Sequence, residues 1–203
     1  KKDKILLIQN KALELSLFLS LPASVALLIG SEQIISALFG YGSFDEVSVL
    51  NSGKALYYFA LGLPAFSLIK VFSIFFFANH NTKTPFYISL ISVILNIVIS
   101  IYYFNETGFI IIPIATTISS WFNAILLFIF LKNKNLFSFN KIFLIRFIKI
   151  IISSVVMGIF FNFLTTYFQN ELSFNQTLKS FYLIISVVLS LFFYLFVSYL
   201  IKA

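Results

Sequence analysis

Long apolar runs and short polar connections alternate along this chain. Six runs stand out, at about 12–29, 55–77, 85–104, 109–131, 145–168 and 178–201. At 1.5 Å per residue in a helix, a run of roughly 20 residues crosses about 30 Å of hydrocarbon. The connections include "GYGSFDEVSVLNSGK" (40–54), "NHNTK" (79–83), "NETG" (105–108), "KNKNLFSFNK" (132–141) and "NELSFNQT" (170–177). They are polar, and most carry Asn, Gly or Ser, as turns do. The pattern predicts an all-α integral membrane protein with six transmembrane helices. The alternating ten-residue segments of an outer-membrane barrel are absent. Segment 32–39, "EQIISALF", either prolongs the first helix or lies along the interface.

Composition agrees. Of 203 residues, 60% are hydrophobic and only 10% charged, whereas a water-soluble domain is nearer half apolar and a quarter charged. The net charge of +7 does not signal nucleic-acid binding, because Lys and Arg lie between apolar runs rather than in a basic domain. They set topology instead. Lys1, Lys2, Lys4, Lys11, Lys83, Lys132, Lys134, Lys141, Arg146, Lys149 and Lys202 fall on one side, against Lys54 and Lys179 on the other. By the positive-inside rule both termini are expected in the cytoplasm, and the 40–54 loop, with Asp45 and Glu46, outside. With no Cys, disulfides and thiolate chemistry are excluded. The first residue is Lys and the only Met is Met157, so the expectation is the tail of a longer protein. The run after "KKDK" is too long for a signal peptide and has no convincing cleavage site.

Within the second run, "LGLPAFSLIKVFSIFFFANHNTKTP" (61–85), Pro64 and Lys70 interrupt lipid-compatible sequence. Lys70 lies about four residues past mid-span, where a lysine costs roughly 2.5–3.5 kcal/mol. Either its stem snorkels to the headgroups, or its ammonium meets a hydrated cavity and an anionic ligand. Pro64 removes the bond to the carbonyl of Ala60 and leaves that oxygen needing a partner. In "Thr-Lys-Thr-Pro" (82–85), Thr84 suits an N-cap and Pro85 the first helical position. The short turn makes the second and third helices an antiparallel pair.

Ser89, Ser92, Asn96 and Ser100 share one face of the third helix. Thr116, Ser120 and Asn123 share one face of the fourth. They form interhelical hydrogen bonds, worth about 0.6 kcal/mol each, or the polar wall of a pathway; both can hold. Ser154, Gly158, Asn162 and Thr165 on the fifth helix, with Ser186 and Ser190 on the sixth, read as close-packing positions.

No catalytic constellation stands out, so the chain is not expected to be an enzyme. His80 is single and lies in a loop, without metal-ligand spacing around it. No paired carboxylates sit at the centre of a span, and no Gly-rich phosphate loop is present. Glu14, near the cytoplasmic edge, is expected to pair with Lys11 or water. Neither cofactor nor metal is expected.

The stretches "LPASVALLIGSEQIISALFGYGSF" (21–44) and "YFALGLPAFSLIKVFSIFFFANHNTKTP" (58–85) carry a resemblance. With Pro22, Gly62, Pro64, Lys70, Thr82, Lys83, Thr84 and Pro85, and with "ATTISSWFNAILL" (115–127) beyond, the chain resembles the lipid II flippases called MurJ or MviN. These belong to the multidrug/oligosaccharidyl-lipid/polysaccharide (MOP) exporter superfamily. The match covers roughly 11–131; beyond 131 it rests on hydropathy and helix count. The resemblance implies a fourteen-helix fold of which these are the last six spans. Residues 1–131 would be part of the C-terminal lobe, and 132–203 two helices forming a groove for the polyprenyl tail.

It also implies alternating-access flipping of lipid II, the undecaprenyl-linked disaccharide-pentapeptide of peptidoglycan synthesis, across the bacterial inner membrane, serving the cell wall and cell shape. Partners would be lipid II, membrane lipids and the missing N-terminal spans, and the fragment alone would be inactive. Lys70 matches a lysine of the family's tenth span and is the candidate for a cationic cavity, with Asn96, Thr116 and Asn123 as candidate lining. The stripe Asn96, Ser100, Thr116 offers oxygens but no carboxylate, so no sodium site is claimed. A flippase for another polyprenyl-linked glycan of O-antigen type and a non-transporting membrane subunit are the alternatives.

Overall fold

A computed structural model describes residues 2–202, with side chains from Lys4 onward. The described residues form six α-helices: α1 Lys2–Phe39, α2 Glu46–Phe77, α3 Lys83–Thr107, α4 Ile111–Asn133, α5 Lys141–Tyr167 and α6 Lys179–Leu200. A 3-10 turn, Gly108–Ile110, joins α3 to α4. Segment 32–39 therefore prolongs the first helix rather than lying apart from it. Within α1, Gly30 departs from helical dihedrals (φ −106°, ψ 20°) and marks a kink.

Among the described residues, five continuous helical stretches are long and apolar enough to cross a membrane: Lys4–Phe39, Glu46–Phe77, Lys83–Asn133, Lys141–Tyr167 and Lys179–Leu200. That is one fewer than six, because α3, the 3-10 turn and α4 run on without a coil break. Two polar pairings nevertheless show that α3 and α4 fold back on each other. Asn96 bonds Thr116, and Ser89 bonds Asn123. The partner's number rises as the first falls, as an antiparallel pair requires. Gly108, at φ +64°, makes the reversal in a conformation that a side chain would strain.

The helix ends follow local chemistry. Asp45 caps α2: its Oδ1 accepts from Ser48 N at 2.8 Å. Asn140 does the same for α5, accepting from Phe143 N at 2.6 Å. At α3 the expected cap, Thr84, is instead the second helical residue. Asn81 is the capping side chain, with Oδ1 accepting from Thr84 N at 3.1 Å and Nδ2 donating to Thr84 Oγ1 at 2.9 Å. An Asn three residues before the target amide reaches it better than a hydroxyl within the first turn. Pro85 consequently sits third in the helix, where its missing N–H is still an orphan. His80 (φ 54°) and Asn135 (φ 52°) end α2 and α4 in the left-handed region. There Asn81 N and Leu136 N reach back to the carbonyls of Phe76 and Leu131, each at 3.0 Å.

The chain divides into two compact units. One comprises residues 1–20 and 61–147, the other 21–60 and 148–203.

In the first unit, Phe72, Phe75, Phe128, Phe137, Phe139, Phe143 and Phe147 pack ring against ring. Centroid separations run from 5.0 Å between Phe128 and Phe139 to 6.3 Å between Phe128 and Phe137. The cluster pins the 134–140 connection against α2 and α4. Asn10 helps, donating to Ser138 O at 3.0 Å and accepting from Asn140 N at 3.3 Å. Glu14 takes Arg146 rather than Lys11 as its charged partner. Arg146 Nη1 donates to both its carboxylate oxygens, at 2.8 and 3.1 Å.

In the second unit the small-residue reading of α5 holds for Ser154, Gly158 and Thr165, all buried. Asn162 is exposed, and Phe161 takes the inner position in its place. A Cβ on Gly158 would lie 2.5 Å from Val25 Cγ1, so only glycine permits this approach of α5 to α1. On α6, Lys179, Leu183, Ser186, Ser190, Tyr194 and Ser198 are the buried positions, spaced three to four apart.

Candidate functional site

The freed carbonyls below Pro64 have partners. Ser24 Oγ donates to Ala60 O at 2.6 Å inside the second unit, which answers the vacancy that Pro64 predicts. One residue on, Trp121 Nε1 donates to Leu61 O at 3.0 Å inside the first unit. Pro64 itself is buried. At Gly62 a Cβ would come within 3.0 Å of Thr117 Oγ1, so glycine here sets how closely α2 and α4 approach. Pro22 is buried within α1.

Lys70 is exposed, two turns beyond the proline on α2. Asn96 and Thr116, on α3 and α4, face each other across the helix pair. Asn96 Nδ2 donates to Thr116 Oγ1 at 3.0 Å and reaches Ser119 Oγ at 3.4 Å. Thr116 Oγ1 in turn donates to Ile112 O at 2.8 Å. Asn123 is buried and donates to Ser89 Oγ at 3.4 Å, while its Oδ1 finds no protein partner. Ser100 Oγ is buried without a partner as well. The α3–α4 polar residues thus come together as one interhelical stripe, and Lys70 makes no hydrogen bond or ion pair with it. No group of three His, Cys, Asp or Glu able to hold a metal occurs among the described residues.

Thr82, Lys83 and Pro85 border a hollow of about 600 Å³ at the α2–α3 turn, together with Ser73 and Ser89. Lys83 contributes the charge there, and Lys70 does not line it.

The residue whose surroundings sequence reasoning missed is Lys179. It is only 1% exposed. Its ammonium donates to Gly40 O at 2.6 Å and Phe174 O at 2.7 Å, and lies 4.4 and 4.6 Å from the ring centres of Tyr41 and Phe174. Beside it Ser180 Oγ donates to Ala37 O at 2.6 Å and pairs with Tyr41 Oη at 2.7 Å. The end of α1 and the start of α6 are tied by these bonds. Counted only as a topology charge, Lys179 gave no sign of this. Its position beside the first apolar residues of α6 was the available signal.

The comparisons bear on the whole segment. The family model described as lipid II flippase MurJ matches residues 1–196. A protein of Rhizobium meliloti named "Probable lipid II flippase MurJ" is 37% identical over 151 residues, covering 74% of this chain and 28% of that protein. "Lipid II flippase MurJ" of Thermosipho africanus is 32% identical over 162 residues, covering 80% of this chain and 32% of that protein. The chain therefore spans about a third or less of the length of these relatives. A solved structure, "Lipid II flippase MurJ, inward closed conformation", superposes with a TM-score of 0.79 at 25% identity, covering 99% of this chain and 40% of that one. With the family model matching nearly its entire length, this multi-pass membrane chain belongs to the lipid II flippase MurJ family.

Proposed function

We propose that this chain supplies the C-terminal helices of a flippase that carries lipid II across the bacterial inner membrane by alternating access. The observation that carries the reading is the superposition over 99% of the chain on a lipid II flippase structure. The helices work with further spans of the same protein, and the segment alone is inactive. The reading assigns no bond-making or bond-breaking chemistry to the chain. Both ends lie in the cytoplasm. The Lys/Arg distribution supports this, and burial of Lys179 leaves Lys54 as the free cation on the outer side among the described residues.

Lys70 gives the cavity its cation on this side. It is exposed, has no carboxylate partner among the described residues, and lies on the helix that carries Pro64 within its span. Asn96, Thr116 and Asn123 form its polar wall, held by the Asn96–Thr116 and Asn123–Ser89 bonds. Residues 132–203 supply the lipid-tail groove. On α5 Ile159 and Phe163 are exposed, and on α6 Phe192 and Phe196, a surface that acyl chains wet.

The test is complementation. The full gene product is expressed in a strain depleted of its own lipid II flippase. Restored growth and normal cell shape are expected with the unaltered gene, and loss of rescue with Lys70→Ala at equal membrane abundance. Failure of the unaltered gene to rescue, alongside transport of an O-antigen-type lipid-linked glycan, would overturn the substrate assignment. Full rescue by Lys70→Ala would overturn the role of the lysine.

A further inference from the structure

The hollow of about 600 Å³ at the α2–α3 turn belongs wholly to the first compact unit. Lys83 is the one charged residue among those described that line it. Phe77 and Phe86, both exposed, supply apolar wall. Ser73 lies four residues before Phe77 and Ser89 six residues after Lys83, so the hollow runs about 6–9 Å along the two helices. The start of α3 leaves few free amides to hold an anion. Thr84 N donates to Asn81 Oδ1 at 3.1 Å, and Pro85 has no N–H. Attraction at this hollow therefore comes from the Lys83 ammonium.

The charge around it has one sign. Because α3 and α4 are antiparallel, Lys132 near the end of α4 shares the end of the unit where α3 begins. The 134–140 connection packs on the last turns of α2, with the Phe137 and Phe75 rings 5.6 Å apart, and brings Lys134 and Lys141 to that same end. The unit's acids do not offset them. Glu14 is tied to Arg146 at 2.8 Å. Glu106 is 23 residues from Lys83 along α3, about 35 Å away. Asp3 is flanked in sequence by Lys2 and Lys4. An apolar recess that opens among unopposed lysines fits an occupant with an anionic head and an apolar body.

We propose that this hollow seats an anionic phospholipid of the surrounding membrane, with its phosphate on Lys83 and the upper part of an acyl chain against Phe77 and Phe86. The ammonium gives a phosphate charge-assisted hydrogen bonds, and basic segments at a membrane surface draw anionic lipids. A free phosphate ion would leave the two phenylalanine rings in water. A zwitterionic lipid would bring an ammonium of its own to a rim of lysines, with no free carboxylate to receive it. A headgroup of net negative charge, such as phosphatidylglycerol, meets neither penalty. This inference goes beyond flipping and does not depend on it; it needs only that this end of the helices meets a membrane surface.

The test uses the full gene product in phosphatidylcholine nanodiscs, with a bimane label on Leu90→Cys as its only cysteine. Leu90 is exposed, follows Ser89 and does not line the hollow. The discs carry a small, fixed fraction of either phosphatidylglycerol or phosphatidylcholine with a nitroxide high on the acyl chain. Phosphatidylglycerol is expected to quench the label at least threefold more strongly than phosphatidylcholine. Lys83→Gln is expected to bring the two lipids level. Lys83→Arg and Lys134→Gln are expected to keep the preference, and excess inorganic phosphate to leave it unchanged. Equal quenching by the two lipids in the unaltered protein would overturn the proposal. So would an equal loss of preference in Lys83→Gln and Lys134→Gln, which marks diffuse attraction to a basic surface. Relief of quenching by inorganic phosphate would make the hollow an ion site, and no quenching by either lipid would mean that another part of the protein covers it; each also overturns the proposal. None of these readings requires transport, so failure of the flippase assignment would leave them intact.

Discussion

Asn96 Nδ2 donates to Thr116 Oγ1 at 3.0 Å, and this bond joins the midpoint of α3 to the first turns of α4. Between apolar helices it does two things: it fixes their register, and it satisfies an amide that hydrocarbon would penalise. A double-mutant cycle with Asn96→Ala and Thr116→Ala in reversible unfolding is expected to give a coupling of about 0.6 kcal/mol. A coupling of zero, with both single variants folded, would mean that the pair is not formed in the membrane.

Much of this was legible in the sequence. The all-helical membrane class follows from runs of apolar residues, which physics lets cross lipid only as helices or closed barrels. Pro64 announced an orphan carbonyl at Ala60, and Ser24 fills it. The facing stripes on α3 and α4 appear at three- and four-residue spacing and do meet. Other features were not legible. Glu14 pairs with Arg146 across 132 positions of sequence, and no local pattern reports a contact of that range. Lys179 shows the converse: a charge near a helix end counts as topology until the fold places carbonyls and rings around it. The hollow between the last turns of α1 and the α5–α6 connection needed both the path of α1 past Gly30 and that connection.

Lys179 is expected to be a stability hot spot. Replacing it with Met keeps most of the volume but leaves Gly40 O and Phe174 O without their donor. Hydrogen bonds from a charged donor contribute about 1.5–3 kcal/mol, so Lys179→Met should cost about 2 kcal/mol or more. Amide exchange at 36–44 should accelerate more than at α3, because the lost bonds hold the end of α1. Uniform acceleration across both regions would argue against a local tie.

Gly158 tests close packing. Gly158→Leu would drive side-chain atoms into Val25 and Ile29, which even a Cβ would meet at 2.5 and 3.0 Å. Overpacking of this kind costs about 1–3 kcal/mol. Combining it with Val25→Ala should recover part of the loss in an unfolding titration, since the cavity so made lies where the new side chain points. No recovery would place the strain elsewhere.

Arg146 and Glu14 make a partly exposed pair, with side chains 42% and 21% accessible. Solvent screening limits such a pair to about 0.2–1 kcal/mol. Glu14→Gln is therefore expected to lower stability within that range at low salt, and the difference from the unaltered protein should shrink as ionic strength rises. A larger loss that salt does not touch would mean that the pair is shielded in the membrane.

Asp45 gives a pH signature outside the spans. Its carboxyl is held below its ordinary value of 3.8, first by the Ser48 side chain and then by the Ser48 backbone amide. The depressed value means that the ionised form is favoured in the folded chain. Its contribution to the start of α2 is complete above the unfolded value and is lost as pH falls through the folded one. The amide resonance of Ser48 should therefore titrate with a midpoint below 3.8, while a peptide spanning 43–50 titrates at the ordinary value. Asp45→Asn should keep an acceptor for the Ser48 amide and remove the titration. A folded midpoint at or above the peptide's would show that the capping bond does not form in solution.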